Sequence, residues 1–134
     1  MIFIPCLILP IPFTIGQTSI VTLSHPFLVC NDGKVLDAPD VGQQTAISTI
    51  VHNPTGQGRS MTVVLEARTD NDVTVRLSAR QISVNANADF QVAIAWEPRQ
   101  SGEHTLRTFA ITSLESPEVL TEVRISTVRV GSYR

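Results

Sequence analysis

From Phe90 to Trp96 every second residue is apolar and mostly large: Phe90, Val92, Ile94 and Trp96 share one face, and Gln91, Ala93 and Ala95 the other. A period of two sustained over that length predicts a β-strand. The chain then turns through Trp-Glu-Pro and Ser-Gly. It returns with His104, Leu106, Thr108 and Ala110 opposed to Thr105, Arg107, Phe109 and Ile111. The same alternation puts Met61, Val63, Leu65 and Ala67 on one face, with Glu66 and Arg68 pointing the other way. Ile47, Thr49 and Val51 form a face within Gln43–Asn53. "SIVTLSHPFLVC" reads as a first strand, broken or bulged at Pro26, because proline cannot donate to a ladder. Asp70-Asn71-Asp72 predicts a tight hairpin turn into "VTVRLSA", since Asn and Asp tolerate left-handed backbone. "NDGKVLDAPDVGQ", Asn53–Gly58 and "SLESPEVL" read as loops, and "TEVRISTVRV" as a closing strand. No stretch shows a helical period with caps. Seven or eight short strands, with turn signals roughly every ten residues, predict an all-β antiparallel sandwich. Ile47, Val63, Leu65, Val92, Ile94, Trp96 and Leu106 are its expected core.

Composition narrows the function classes. The 134 residues suit one domain, and 43% hydrophobic residues suffice for a core. Only 16% are charged, and the net charge is -2. Lys and Arg form no run, so a nucleic-acid partner is not expected. His25, His52 and His104 lie far apart, and neither Cys6 nor Cys30 sits in a Cys-x-x-Cys pair, so no metal site is expected. Cys30 reads as a small buried hydrophobe on the first strand, with a Cys6–Cys30 disulfide as the disfavoured alternative. Residues 1–19 are a separate case. Ile2 to Ile15 is almost entirely apolar, with small residues following at Gly16 to Ser19. That resembles the core of a secretory signal, although no Lys or Arg precedes it and Pro5, Pro10 and Pro12 interrupt it. An atypical or truncated export signal is favoured over a mis-assigned start or a retained apolar strand. The prolines and the length argue against a stable membrane span. The expected division is an apolar segment over residues 1–19 and a sandwich domain over residues 20–134.

No catalytic residues and no cofactor are expected. The chain has no Gly-x-Ser-x-Gly elbow, no His-Glu-x-x-His and no phosphate-binding glycine loop. Asp37, Asp40, Asp70 and Asp72 lie in loops where calcium ligands occur, but turn chemistry accounts for them more simply. Trp96 shares the phase of the core residues, which favours burial over a sugar-stacking role. Proline at the middle position of Asn53-Pro54-Thr55 blocks glycosylation there.

Four short motifs carry a resemblance: Val41-Gly42-Gln43, Val51-His52-Asn53, Trp96-Glu97-Pro98 and Gly102-Glu103-His104-Thr105-Leu106. In this order the chain resembles the immunoglobulin-like, adhesion-related (CARDB-like) repeat domains of archaeal, including thaumarchaeal, cell-surface and secreted proteins. The likeness spans roughly Val35 to Val130. It departs at His104, where such domains usually have Tyr. The resemblance implies a non-catalytic structural or adhesive module, extracellular or on the cell surface, whose partners are other protein domains or cell-surface components. Homo-oligomers could form by edge-strand pairing. The alternative is a soluble domain that binds calcium or carbohydrate through loops at the sandwich ends.

Overall fold

A computed structural model describes residues 21–132. Nine strands follow in order: β1 (Thr22–Leu23), β2 (Phe27–Val29), β3 (Val35–Leu36), β4 (Thr45–His52), β5 (Arg59–Thr69), β6 (Thr74–Val84), β7 (Asp89–Trp96), β8 (Gly102–Ile111) and β9 (Arg124–Val130). No helix occurs among the described residues. In the first sheet β4 is central, with β7 on one side and β1 and β2 end to end on the other; β3 pairs outside β2. The second sheet runs β6-β5-β8-β9, antiparallel throughout. The architecture is an immunoglobulin-like β-sandwich, in agreement with the antiparallel sandwich that the alternation predicts and with the resemblance. The apolar segment 1–19, Cys6 included, lies outside the described residues.

The extra strands have simple causes. β1 and β2 are the two halves of the expected first strand. Between the pairs Leu23–Val51 and Phe27–Ser48, three residues of this strand face two of β4. This is a bulge at Pro26, which has no N–H to give. Ser24 bridges the gap: its N–H donates to the Ile50 carbonyl (3.0 Å), its Oγ accepts from Ile50 N–H (2.9 Å), and its carbonyl accepts from Thr49 Oγ1 (2.9 Å). β3 lies in a segment that reads as loop, and its two residues are too few to show a period.

The expected core forms as a unit. Ile47, Val63, Leu65, Val92, Ile94, Trp96 and Leu106 are all buried in one cluster between the sheets, together with Met61, Ala67, Leu28 and Val51. Two residues depart from expectation. Phe90 has the core phase but is 44% exposed, because it stands near the start of β7, where the sheets no longer cover it. Cys30 is not buried in a strand; it follows β2 in the turn to β3, half-exposed, and its thiol donates to Asp32 Oδ1 (3.0 Å). Burial of a small apolar group had no part to play where the turn offered a carboxylate.

The described chain enters at Val21, next to the His52 end of β4, and leaves at Gly131, next to Pro39 and Val41. These are opposite ends of the sandwich.

Candidate functional site

Three of the four sequence motifs meet at the exit end of the sandwich, and the fourth, Val51-His52-Asn53, stands at the entry end. At the exit end, Asp40 to Gln43 forms a turn closed by Gln43 N–H donating to the Asp40 carbonyl (3.0 Å). Gly42, at φ 85°, holds the left-handed third position that a type II turn requires. Its N–H donates to the carbonyl of Pro98 (2.8 Å), and Thr45 Oγ1 donates to the carbonyl of Trp96 (2.7 Å). The Val-Gly-Gln and Trp-Glu-Pro motifs are thus two sides of one knot. Proline ends the ladder of β7, and the carbonyls on either side of Glu97 are captured by the turn ahead of β4 and by the first residue of β4.

Trp96 and His104 close the core above this knot. Trp96 is 5% exposed and His104 2% exposed, and their ring centroids lie 5.5 Å apart at 60°. His104 Nδ1 donates to the carbonyl of Gly102 (3.1 Å), two residues back on its own strand. The imidazole thus makes a local tie within β8. Gly102, at φ 111°, opens β8 in a conformation that disfavours side chains. A half-open hollow of about 450 Å³ lies outside the pair, lined by Val75, Arg76, Glu97, Arg99 and Gln100 as well as the edges of Trp96 and His104. With Trp96 only 5% exposed, little of the indole is open to this hollow.

The entry end is organised by Asn53, which is fully buried. Its Nδ2 lies within donor reach of the carbonyls of Gln57 (2.8 Å), Val84 (3.1 Å) and Asn85 (3.1 Å). Its Oδ1 accepts from Thr55 N–H (3.0 Å) and Thr55 Oγ1 (2.7 Å). Its backbone N–H donates to Ala88. One side chain therefore ties the end of β4 to two loops. The Val-x-Asn motif flags the position, but its partners are set by the fold and not by spacing.

The carboxylates separate into distinct roles. Asp70 and Asp72 lie in the β5–β6 turn, with Asp72 at φ 61°, and Thr69 closes it: its N–H donates to the Val73 carbonyl (2.9 Å) and its carbonyl accepts from Asp72 N–H (3.0 Å). Asp40 bridges to Gly131 through the backbone. Asp37 stands exposed in the loop after β3. Among the described residues no group of three or more His, Cys, Asp or Glu side chains converges as a metal cage. Glu66, on the outer face of β5, is the one buried carboxylate among the described residues. Arg107 Nη1 (2.8 Å), Arg68 Nε (2.9 Å) and Thr74 Oγ1 all donate to it. Burial pushes its pKa up, but the Thr74 and Arg68 hydrogen bonds and the Arg68 and Arg107 charges outweigh burial and hold it below the usual carboxylate range. Period-two reading placed Glu66 on the outer face but gave no sign that this face is covered.

Neither a family profile nor a curated protein sequence matches this chain. Solved structures do share its fold. It aligns over 86% of its length with 97% of the CARDB domain of a Pyrococcus furiosus protein, crystallised in complex with di-metal ions, at a TM-score of 0.59 and 18% identity. It aligns over 87% of its length with 75% of the C-terminal domain of Wzt, at a TM-score of 0.66 and 11% identity. A β-glucosidase from Listeria innocua contains a similar sandwich, at a TM-score of 0.55 and 15% identity, in only 16% of the enzyme's length. At these identities the likeness is one of fold, and it agrees with the CARDB-like resemblance carried by the four motifs. The neighbours are diverse, so the sandwich is a module found in several settings.

Proposed function

We propose that this chain is a non-catalytic module of a cell-surface or secreted protein, with residues 20–134 as the module, and that it works by contact with other protein domains. The observation that carries this reading is the outer face of the first sheet. Phe27, Val29, Ala46, Ile50, Ala93 and Ala95 share that face with the uncharged Ser48 and Gln91, and no charged side chain interrupts them between the His52–Asp89 pair and Glu97. A sheet face that is uncharged and mostly apolar on its outer side suits a protein surface better than it suits water. The motif side chains support the reading as well, since Trp96, His104 and Asn53 are spent on closing the two ends.

The rival reading is a calcium- or carbohydrate-binding domain, and the hollow beside Arg76, Glu97 and Arg99 is where it would bind. Two measurements on the full chain decide. An impermeant amine reagent applied to intact cells should label Lys34, the sole lysine and an exposed one. Titration calorimetry with calcium and with a glycan panel should give no saturable heat. A saturable enthalpy would favour the rival, and protection of Lys34 on intact cells would overturn the surface location.

A further inference from the structure

Two exposed surfaces at opposite edges of the second sheet are complementary. β6 is an edge strand: β5 pairs one side of it, and among the described residues nothing pairs the other. Thr74 to Val84 carries Arg76 and Arg80 and no carboxylate. Arg76, Ser78 and Arg80 lie on the core-facing side, yet none is buried; Arg76 is tied to β7, its Nε donating to the Ala95 carbonyl (2.7 Å), so Arg80 is the open cation of this edge, and Val75 and Leu77, on the other side, are 42% and 57% exposed. A long exposed edge of this kind is a ready partner for another chain.

The opposite edge carries the inverse charge. Ser113 to Val123, between β8 and β9, holds Glu115, Glu118 and Glu122 and no Lys or Arg. Leu114, Val119 and Val123 are exposed among them. The segment is held in shape by its neighbours. Thr112 N–H donates to the Glu118 carbonyl (3.0 Å) and Leu120 N–H to the Ala110 carbonyl (2.9 Å), forming an antiparallel bridge between Ile111 and Val119. In a bridge of this type the flanking residues make both bonds, so the N–H and C=O of Val119 point away from β8, free for a further strand.

Pairing β6 with another β6 would set arginines against arginines, which is unfavourable. We propose instead that the acidic, apolar segment 113–123 of one copy docks against the basic, apolar β6 edge of a second copy. The two surfaces are different patches of the same molecule, so the contact is heterologous and propagates head to tail without needing to close. A single contact of this size is weak and gains strength when copies are held close together. The inference rests on the reading of the chain as a contact module and names a second copy as its partner.

Sedimentation velocity on the full chain, over a range of concentrations at low and high salt, tests it. The wild type should self-associate with rising concentration, less so in high salt, because exposed charges are screened. Arg80→Glu alone and Glu118→Arg alone should each shift the protein toward monomer, and an equimolar mixture of the two variants should recover heterotypic association. Tryptophan emission and circular dichroism confirm that both variants fold. A wild type that stays monomeric throughout, association that survives either reversal, or loss with Arg80→Glu but not with Glu118→Arg would each overturn self-docking. None of these results bears on Lys34 labelling, so the module reading stands or falls separately.

Discussion

Leu65 and Ile94 show how far single residues could be read. Both were assigned inward by alternation alone, and both are buried in the shared cluster, on opposite sheets. Truncating either to Ala should cost about 2–5 kcal/mol, since the lost transfer energy adds to an unfilled cavity; an unchanged melting temperature would refute the assignment of faces. Apolar residues were legible because burial imposes a period on them. Polar residues that are buried had no such signature. Asn53 is fixed by carbonyls near Val84, and Glu66 by Arg107, which are far along the chain. Only the folded topology brings these groups together. Cys30 was misread for a related reason: its type suggested burial, while its turn gave it Asp32 as a partner.

Among the elements, β4, β5, β7, β8 and β9 are legible from alternation and β1 and β2 as one broken strand, whereas β3 and the end of β6 are not. β3 has two residues, and the last part of β6 runs through Gln81-Ile82-Ser83-Val84 before a turn with no Gly or Pro to mark it. Glu66 binds three of the strands that were visible or half visible, through Arg68 on β5, Thr74 on β6 and Arg107 on β8. Its pKa is lower in the folded protein than in the unfolded chain. Such a group stabilises fully above its unfolded pKa, about 4.3 for Glu, and that stabilisation is lost as pH falls through the lower folded value. Glu66→Gln should therefore cost about 1–3 kcal/mol at neutral pH, where the arginines lose a charged acceptor. Chemical denaturation across pH should show the variant and the wild type converging in acid. A constant gap down to the most acid condition would mean the charge contributes nothing.

For the whole molecule, the fold class was legible and the partner surfaces were not, because outward-facing residues obey the same alternation whether they meet water or protein. One consequence of the layout concerns mechanical load. The chain comes in at one end of the sandwich and goes out at the other, so tension in a linear array would run along the strands. Gly131 is held by Val41 N–H donating to its carbonyl (3.0 Å) and by its own N–H donating to the Pro39 carbonyl (2.8 Å). Pulling on the exit strand slides Gly131 past both partners, so these bonds are sheared together instead of being peeled one at a time. Val41 occupies the second position of its turn, where proline is at home, so Val41→Pro keeps the turn and deletes one donor. In single-molecule stretching the variant should unfold at a lower force than the wild type, while its equilibrium stability falls by only about 1 kcal/mol. Equal unfolding forces would show that the clamp lies elsewhere in the sheets.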